Sequence, residues 1–316
     1  MSASGALTPA ARLRRRRSTV RDRAELWLYR CAAGAIGLLP RGAAAALGAS
    51  AAAAYTRLSS RRRAILLDNL RRAFPEKTPH EIETIARDSV RSFGAVLMDF
   101  LALSRSSEAA IRSRVRIVNR EIYDGARGLH RGVLLMSAHL GGWELGAIIG
   151  AILGEPIVPI VRPLDNPLLD RELARLRTRF GLRLIQKRAA AKEILKALRA
   201  DEAVAILIDQ NVVAREAVFV PFFGRTAATS PAVALFQQKT GAPVVPVFVW
   251  PEPGGRYRVE FEPAILAEEF AGDDATLRAT TRFTAVTEAA IRRDPAAWLW
   301  MHDRWRTRPE DRISRG

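Results

Sequence analysis

Residues 133–153 read VLLMSAHLGGWELGAIIGAIL, and this stretch decides the fold. Val133 to Ser137 is a short, unbroken apolar run, the pattern of a strand buried on both faces. His139-Leu140-Gly141-Gly142 reads as a turn, and Trp143 to Leu153 as a helix. On one continuous helix, residues 139 and 144 would diverge by about 140°. His139 and Glu144 can meet only if the histidine lies in the turn and the acid in the first helical turn. Gly141 and Gly142 permit a tight bend and the close approach of a substrate. A carboxylate that fixes one imidazole nitrogen leaves the other free as a general base toward a substrate hydroxyl. The competing reading is a buried histidine satisfied by a nearby acid.

Outward from this unit the chain alternates strand and helix. Ile157 to Val161 reads as a strand, and Asn166-Pro167 caps a helix that ends at Gly181. Leu182 to Ile185 is a strand, Ala190 to Ala200 a helix and Ala203 to Ile208 a strand. Ser230-Pro231 opens a helix closed by Gly241. Val244 to Trp250 and Tyr257 to Phe261 are strands joined by Pro-Glu-Pro-Gly-Gly, and a long helix fills Asp274 to Arg293. Upstream, Arg61 to Phe74 is a basic amphipathic helix, and Thr78 and Glu81 frame a capping box for a helix running to about Leu103. The predicted class is α/β, a mostly parallel central sheet flanked by helices, with an N-terminal helical membrane-anchor region.

The predicted division is a basic flexible N-terminus over 1–24, an apolar helical anchor over 25–60, the α/β domain over 61–310 and a tail over 311–316. In the anchor, Pro40, Arg41 and Gly42 interrupt the apolar run from Cys31 to Tyr55. Neither half reaches the roughly 20 apolar residues of a spanning helix. The segment therefore reads as an uncleaved hairpin or interfacial anchor, with Arg14 to Arg17 at an anionic leaflet. An Ala-rich helix packed on the domain is the alternative. Across the 316 residues, Lys and Arg total 50 against 33 Asp and Glu, a formal charge of +17. That excess points to an anionic partner. A hydrophobic content of 48% excludes a mainly disordered chain. One cysteine, Cys31, excludes an internal disulfide, and the four histidines lack metal-ligand spacing. No cofactor and no metal are expected.

Several segments together resemble the lipid A biosynthesis lauroyl/myristoyl acyltransferases, a branch of the lysophospholipid acyltransferase superfamily. Asp68-Asn69-Leu70 through Phe74-Pro75-Glu76 looks like that family's N-terminal signature. His139 and Glu144 fall on its His-x4-acid motif, and Arg162-Pro163 with Asn166-Pro167 on its second block. Asp209-Gln210, Val218 to Gly224 and Ala228-Thr229 match the third, and Trp300 to Pro309 resembles the last. The resemblance implies an acyl thioester donor, usually acyl carrier protein, with acyl-CoA as the other possibility. It implies an anionic glycolipid acceptor, a cytoplasmic active site on the inner membrane, and His139 as the general base oriented by Glu144.

The remaining blocks carry candidate substrate contacts. Arg162 sits at a strand's carboxyl end, where open α/β sheets bind ligands, and is read as holding a phosphate or an oxyanion. Asn166 is read as a helix cap. Asp209 and Gln210 end another strand at the same edge, to bind the acceptor sugar or hold the loop beyond. Gly224 is read as approaching the donor, and Arg225 as a phosphate or carrier contact. Phe222 and Phe223 line an acyl groove or pack the core. No Gly-x-Ser-x-Gly elbow supports a serine acyl-enzyme. Trp298, Trp300 and Trp305 with Arg304, Arg306 and Arg308 suit a membrane interface. Two alternatives stand beside this reading. One is a glycolipid acyltransferase of the phosphatidylinositol mannoside type using acyl-CoA. The other is a non-catalytic basic protein that binds membrane or nucleic acid with steep salt dependence; nucleic acid is not an expected partner, and the oligomeric state is left open.

Overall fold

The computed structural model describes residues 19–103, 106–179, 182–186 and 190–311. Among them, seven strands form one sheet: β1 (Val115–Val118), β2 (Val133–Ser137), β3 (Ile157–Val161), β4 (Ile185–Gln186), β5 (Ala203–Leu207), β8 (Val244–Glu252) and β9 (Arg256–Phe261). Their order is β1-β9-β8-β2-β5-β3-β4, and only the β8–β9 pair is antiparallel. The parallel centre follows from composition. Val133 to Met136 are at most 2% exposed, so both faces of β2 need a covering layer.

Side chains alternate between the two layers. Leu134, Met136, Val158, Val204 and Val244 pack against α9 (Ala190–Arg199), α10 (Ala232–Thr240) and α11 (Ala275–Arg293), through residues such as Ile194, Leu198, Val233 and Phe283. Leu135, Ile157, Ala203, Val245 and Val247 face α6 (Arg120–Arg127), α7 (Gly146–Leu153) and α8 (Pro167–Thr178), through Tyr123, Leu153 and Leu176. Asn166 caps α8 as expected, accepting from the amides of Leu168 and Leu169. The predicted stop at Gly181 lies outside the described residues.

A third cluster closes the end of the sheet nearest the histidine. Here α3 (Ser60–Ala73) and α4 (Pro79–Leu103) meet the C-terminal segment and the hairpin of β6 (Val218–Phe222) and β7 (Arg225–Thr229). The hairpin turn places Phe223 at φ 53° and Gly224 at φ 67°. Positive φ is costly for a bulky residue. It is held because the Phe223 ring packs on Phe74, Phe222 and Trp300 under the Arg292 guanidinium. Arg304, 1% exposed, donates to Ala228 O and to Thr229 Oγ1, and its guanidinium lies over Phe222.

The N-terminal segment forms α1 (Thr19–Ile36) and α2 (Arg41–Leu58), broken at Pro40, and the short α5 (Glu108–Arg112) precedes β1. α1 begins within the stretch expected to be flexible, because Asp22 is buried and its carbonyl accepts from Asn166. Arg14 to Arg17 and residues 312–316 lie outside the described residues. No helix among the described residues is long and apolar enough to cross a membrane. The hairpin is also not wholly packed: Val20, Trp27, Leu28, Leu38, Leu47 and Leu58 are exposed.

α2 crosses α4 at two glycines. A Cβ on Gly48 would lie 2.3 Å from Gly94 O, and one on Gly94 would lie 2.2 Å from Gly48 O. Backbone cannot yield there, so Gly94→Val should force the helices apart and cost about 1–3 kcal/mol. Denaturant unfolding checks this, and an unchanged midpoint would contradict the crossing.

Candidate active site

Ser137 at the end of β2 pairs with Leu207 at the end of β5. His139 and Asp209 therefore each lie two residues beyond neighbouring parallel strands, at the same sheet edge. Their separation in sequence is 70 residues. Asp209 Oδ1 lies 2.9 Å from His139 Nδ1, and Oδ2 accepts from the His139 backbone amide at 3.0 Å. Oδ2 also accepts from the Trp298 indole at 2.8 Å. A carboxylate only accepts, so Nδ1 carries a proton, and in the neutral ring Nε2 presents its lone pair. Gln210 Nε2 stands 3.0 Å from that nitrogen and donates to it.

The pair shifts as such contacts require. Asp209 is 4% exposed. Burial alone would raise its pKa, but the imidazole charge and the three N–H donors outweigh it and bring the carboxyl to about 2. Burial would lower the His139 pKa. The Asp209 charge, its hydrogen bond and the Glu144 charge overcome that, and the imidazole is raised above its ordinary value. The consequence for stability has opposite signs. The Asp209 contribution is present above the ordinary carboxyl range and is lost as pH falls toward 2. The His139 contribution is full at mildly acid pH and is lost as pH rises through the raised imidazole pKa.

The direct contact expected between His139 and Glu144 is corrected. The imidazole is held by Asp209, because the strand order places residue 209 beside residue 139. Trp143–Leu145 is a 3-10 turn that leads into α7. From it, the Glu144 carboxylate reaches Arg177 Nη2 of α8 at 3.0 and 3.3 Å. The glycine turn also differs from expectation. Gly141 N donates to Ala297 O and Gly142 N to Val249 O, both at 2.8 Å. A Cβ on Gly141 would lie 2.1 Å from Val249 O, and one on Gly142 would lie 2.8 Å from the Tyr257 ring. The close approach that the glycines permit is to β8 and Tyr257. Their amides are committed to the protein and are not free to donate to an oxyanion.

The C-terminal segment completes the frame. Leu299 N donates to His139 O. Asn211 N donates to His302 Nε2, and the Asn211 side chain pairs with Thr307 through Oγ1 and the backbone amide. Burial lowers the His302 pKa, in keeping with a neutral ring that accepts. The Trp143 ring lies 5.5 Å from the imidazole and stacks on Phe93 of α4.

His139 lines a cavity of about 300 Å³. Its apolar walls come from one face of four strands: Leu135, Ile157, Pro159, Ala205, Leu207, Val247 and Val249. Ser137, His139, Glu144, Arg162 and Arg177 supply the polar lining. Of the residues singled out in the sequence, the structure gathers His139, Glu144, Arg162, Asp209 and Gln210 in and around this cavity. It does not bring Gly224 and Arg225 there. They belong to the β6–β7 hairpin, where Phe222 and Phe223 pack the aromatic cluster. Asn211 and Arg177 were not identified from sequence, because strand order and helix packing alone place them at the site. The membrane-interface reading of Trp298, Trp300, Trp305 and Arg304 is corrected: all four are buried, and Trp298 donates to Asp209 instead. Replacement of Asp209 by Asn should lower the His139 pKa by about one unit or more, the usual effect of removing an adjacent carboxylate. NMR titration of the imidazole C–H resonances checks this, and an unmoved pKa would refute the contact.

Residues 13–307 match the family model described as bacterial lipid A biosynthesis acyltransferase. The chain is 30% identical over 263 residues to the lipid A biosynthesis lauroyltransferase of Escherichia coli strain K12, covering 82% of this chain and 84% of that one. It is 28% identical over 266 residues to a lipid A biosynthesis acyltransferase of Haemophilus influenzae, covering 82% of each. Among solved structures it is similar to the 1-acyl-sn-glycerophosphate acyltransferase of Thermotoga maritima, with a TM-score of 0.38 and 15% identity, covering 74% of this chain and 97% of that one. With the family model spanning nearly its whole length, the chain belongs to the bacterial lipid A biosynthesis acyltransferases.

Proposed function

We propose that this acyltransferase moves a fatty acyl group from acyl carrier protein to a hydroxyl of a lipid A precursor, with His139 as general base. The observation that carries the reading is an imidazole oriented by Asp209 that lines a largely apolar cavity. The thioester acyl chain lies along the apolar walls. The acceptor hydroxyl takes the place of Gln210 at Nε2 and attacks the thioester carbonyl as His139 removes its proton. Asp209 stabilises the imidazolium by contact and Glu144 by charge. Arg162, at the end of β3, balances the oxyanion or an acceptor phosphate. The tetrahedral intermediate then collapses: the C–S bond breaks, the imidazolium returns the proton to the departing sulfur, and ester and free thiol result. Gln210 covers the base until an acceptor arrives.

The α1–α2 hairpin supports a membrane-surface reading on the cytoplasmic face. Trp27 and Leu28 project from the side of α1 turned away from α8. An exposed apolar stripe with flanking arginines suits the headgroup boundary.

His139→Ala should lower turnover by about 10³-fold or more, since base and orientation fail together. Turnover near the wild-type value would end the assignment. The base works when neutral and its pKa is raised. The acid limb of kcat/KM should therefore lie above the ordinary histidine value, with activity falling as pH drops through it. Replacing Trp27 and Leu28 together by Glu should release the protein from anionic vesicles in flotation while micellar activity persists. Retention on the vesicles would remove the hairpin from the interface. Mass spectrometry of lipid A from a deletion strain tests the substrate, with one secondary acyl chain expected to be missing.

A further inference from the structure

We propose that Arg177 is a positioning residue: it draws the Glu144 carboxylate against the cavity wall, so that Asp209 acts on the imidazole by contact and Glu144 only by charge. The proposal rests on the base assignment above and deepens it. Both side chains line the cavity and both are largely shielded, Arg177 at 18% and Glu144 at 29% exposed. A single guanidinium nitrogen spans both carboxylate oxygens, at 3.0 and 3.3 Å.

The need for such a hold follows from the imidazole itself. Nδ1 is already bonded to Asp209, so a loose carboxylate in the cavity has Nε2 as its natural partner. A Glu144–Nε2 contact would trap the protonated ring and occupy the position the acceptor hydroxyl requires. Pairing with Arg177 removes that competitor while its negative charge still favours the imidazolium.

Arg177 is in turn fixed by its helix. It lies in the last turn of α8. Asn166, 2% exposed, caps the other end of that helix and donates to Asp22 O and Glu25 Oε2 of α1. Arg30 of α1 pairs with Glu172 of α8 at 2.9 Å. Tyr29 of α1 lies within electrostatic range of Glu172 and Arg177, and burial raises its pKa. The helix proposed to meet the lipid surface therefore also sets the cation that restrains Glu144.

The test compares Arg177→Gln, Arg177→Lys, Glu144→Gln and the double variant Glu144→Gln/Arg177→Gln, each as the full chain in detergent micelles with acyl thioester and lipid acceptor. Among the described residues, Asp209, Glu144 and His302 act electrostatically on His139, and Arg162 and Arg177 line the same cavity. Arg177→Gln should lower kcat about 10- to 100-fold with KM within about threefold, and should move the acid limb of the pH profile upward, because Glu144 then acts uncompensated. Glu144→Gln alone should move that limb downward. The double variant should recover part of the kcat lost in Arg177→Gln and bring the limb back down, and Arg177→Lys should keep the limb near the wild-type position. Should Arg177→Gln fail to fold, the downward shift in Glu144→Gln still decides whether the carboxylate acts by charge. A loss confined to KM for the acceptor with an unmoved limb would make Arg177 a substrate ligand and overturn the proposal. So would losses that simply multiply in the double variant. Activity lost in His139→Ala but intact in Arg177→Gln would sink this inference alone; activity kept in His139→Ala would sink the base assignment beneath it.

Discussion

A carboxylate buried beyond the end of β5 constrains most of this structure. An ionised acid in an apolar surrounding costs several kcal/mol unless donors replace its water. Asp209 is given three: the His139 ring, the His139 amide and the Trp298 indole. Hydrogen bonds to a charged group contribute about 1.5–3 kcal/mol each. They come from parts of the chain that sequence separates widely, the loop after β2 and the C-terminal segment. Satisfying one acid therefore pins that segment across the sheet edge. Its neighbouring bonds, from Leu299 to His139 O and from Asn211 to His302, then hold both active loops.

From that constraint the division of labour follows. The parallel strands β2, β3, β5 and β8 turn one face toward α7 and α8, and the space left between them is the apolar cavity. The glycine turn serves packing: two amides and two missing side chains let the His139 loop lie flat on β8 and against Tyr257. Beside this cavity Asp209 holds the proton on Nδ1 of the ring, and in its lining Arg177 pairs with Glu144. The same architecture suits a reaction that joins an apolar chain to a hydroxyl on an anionic lipid. The lining is mostly apolar, and it also carries His139, Glu144, Arg162 and Arg177.

Much of the fold was legible because the strands are short apolar runs between strong punctuation. β2 and β3 fall on the residues read from the sequence, and the helices after Pro79, Asn166 and Pro231 begin at their expected caps or prolines. The capping box at Thr78 and Glu81 forms as the pattern required. β1 was missed because Val115–Val118 is a four-residue edge strand interrupted by exposed Arg116, too short for its alternation to stand out. The β6–β7 hairpin was missed as strands because its two-residue turn uses Phe223 at positive φ, a choice that tertiary packing alone sustains. At the site, the histidine, its motif acid and Arg162 were legible from local pattern. The partner of the imidazole was not. That Asp209 stands beside His139 depends on β5 lying next to β2, which nothing in the order of the chain dictates. Arg177 was hidden and Trp298 misread as interfacial for the same reason, since each reaches the site through packing between elements remote in sequence.

The central claim is that the acid gripping Nδ1 fixes the tautomer of the base. The most direct measurement is the pair of imidazole ¹⁵N shifts of His139 in the full chain, recorded above its raised pKa. The account predicts a protonated Nδ1 and an unprotonated Nε2. A neutral ring carrying its proton on Nε2 would contradict it.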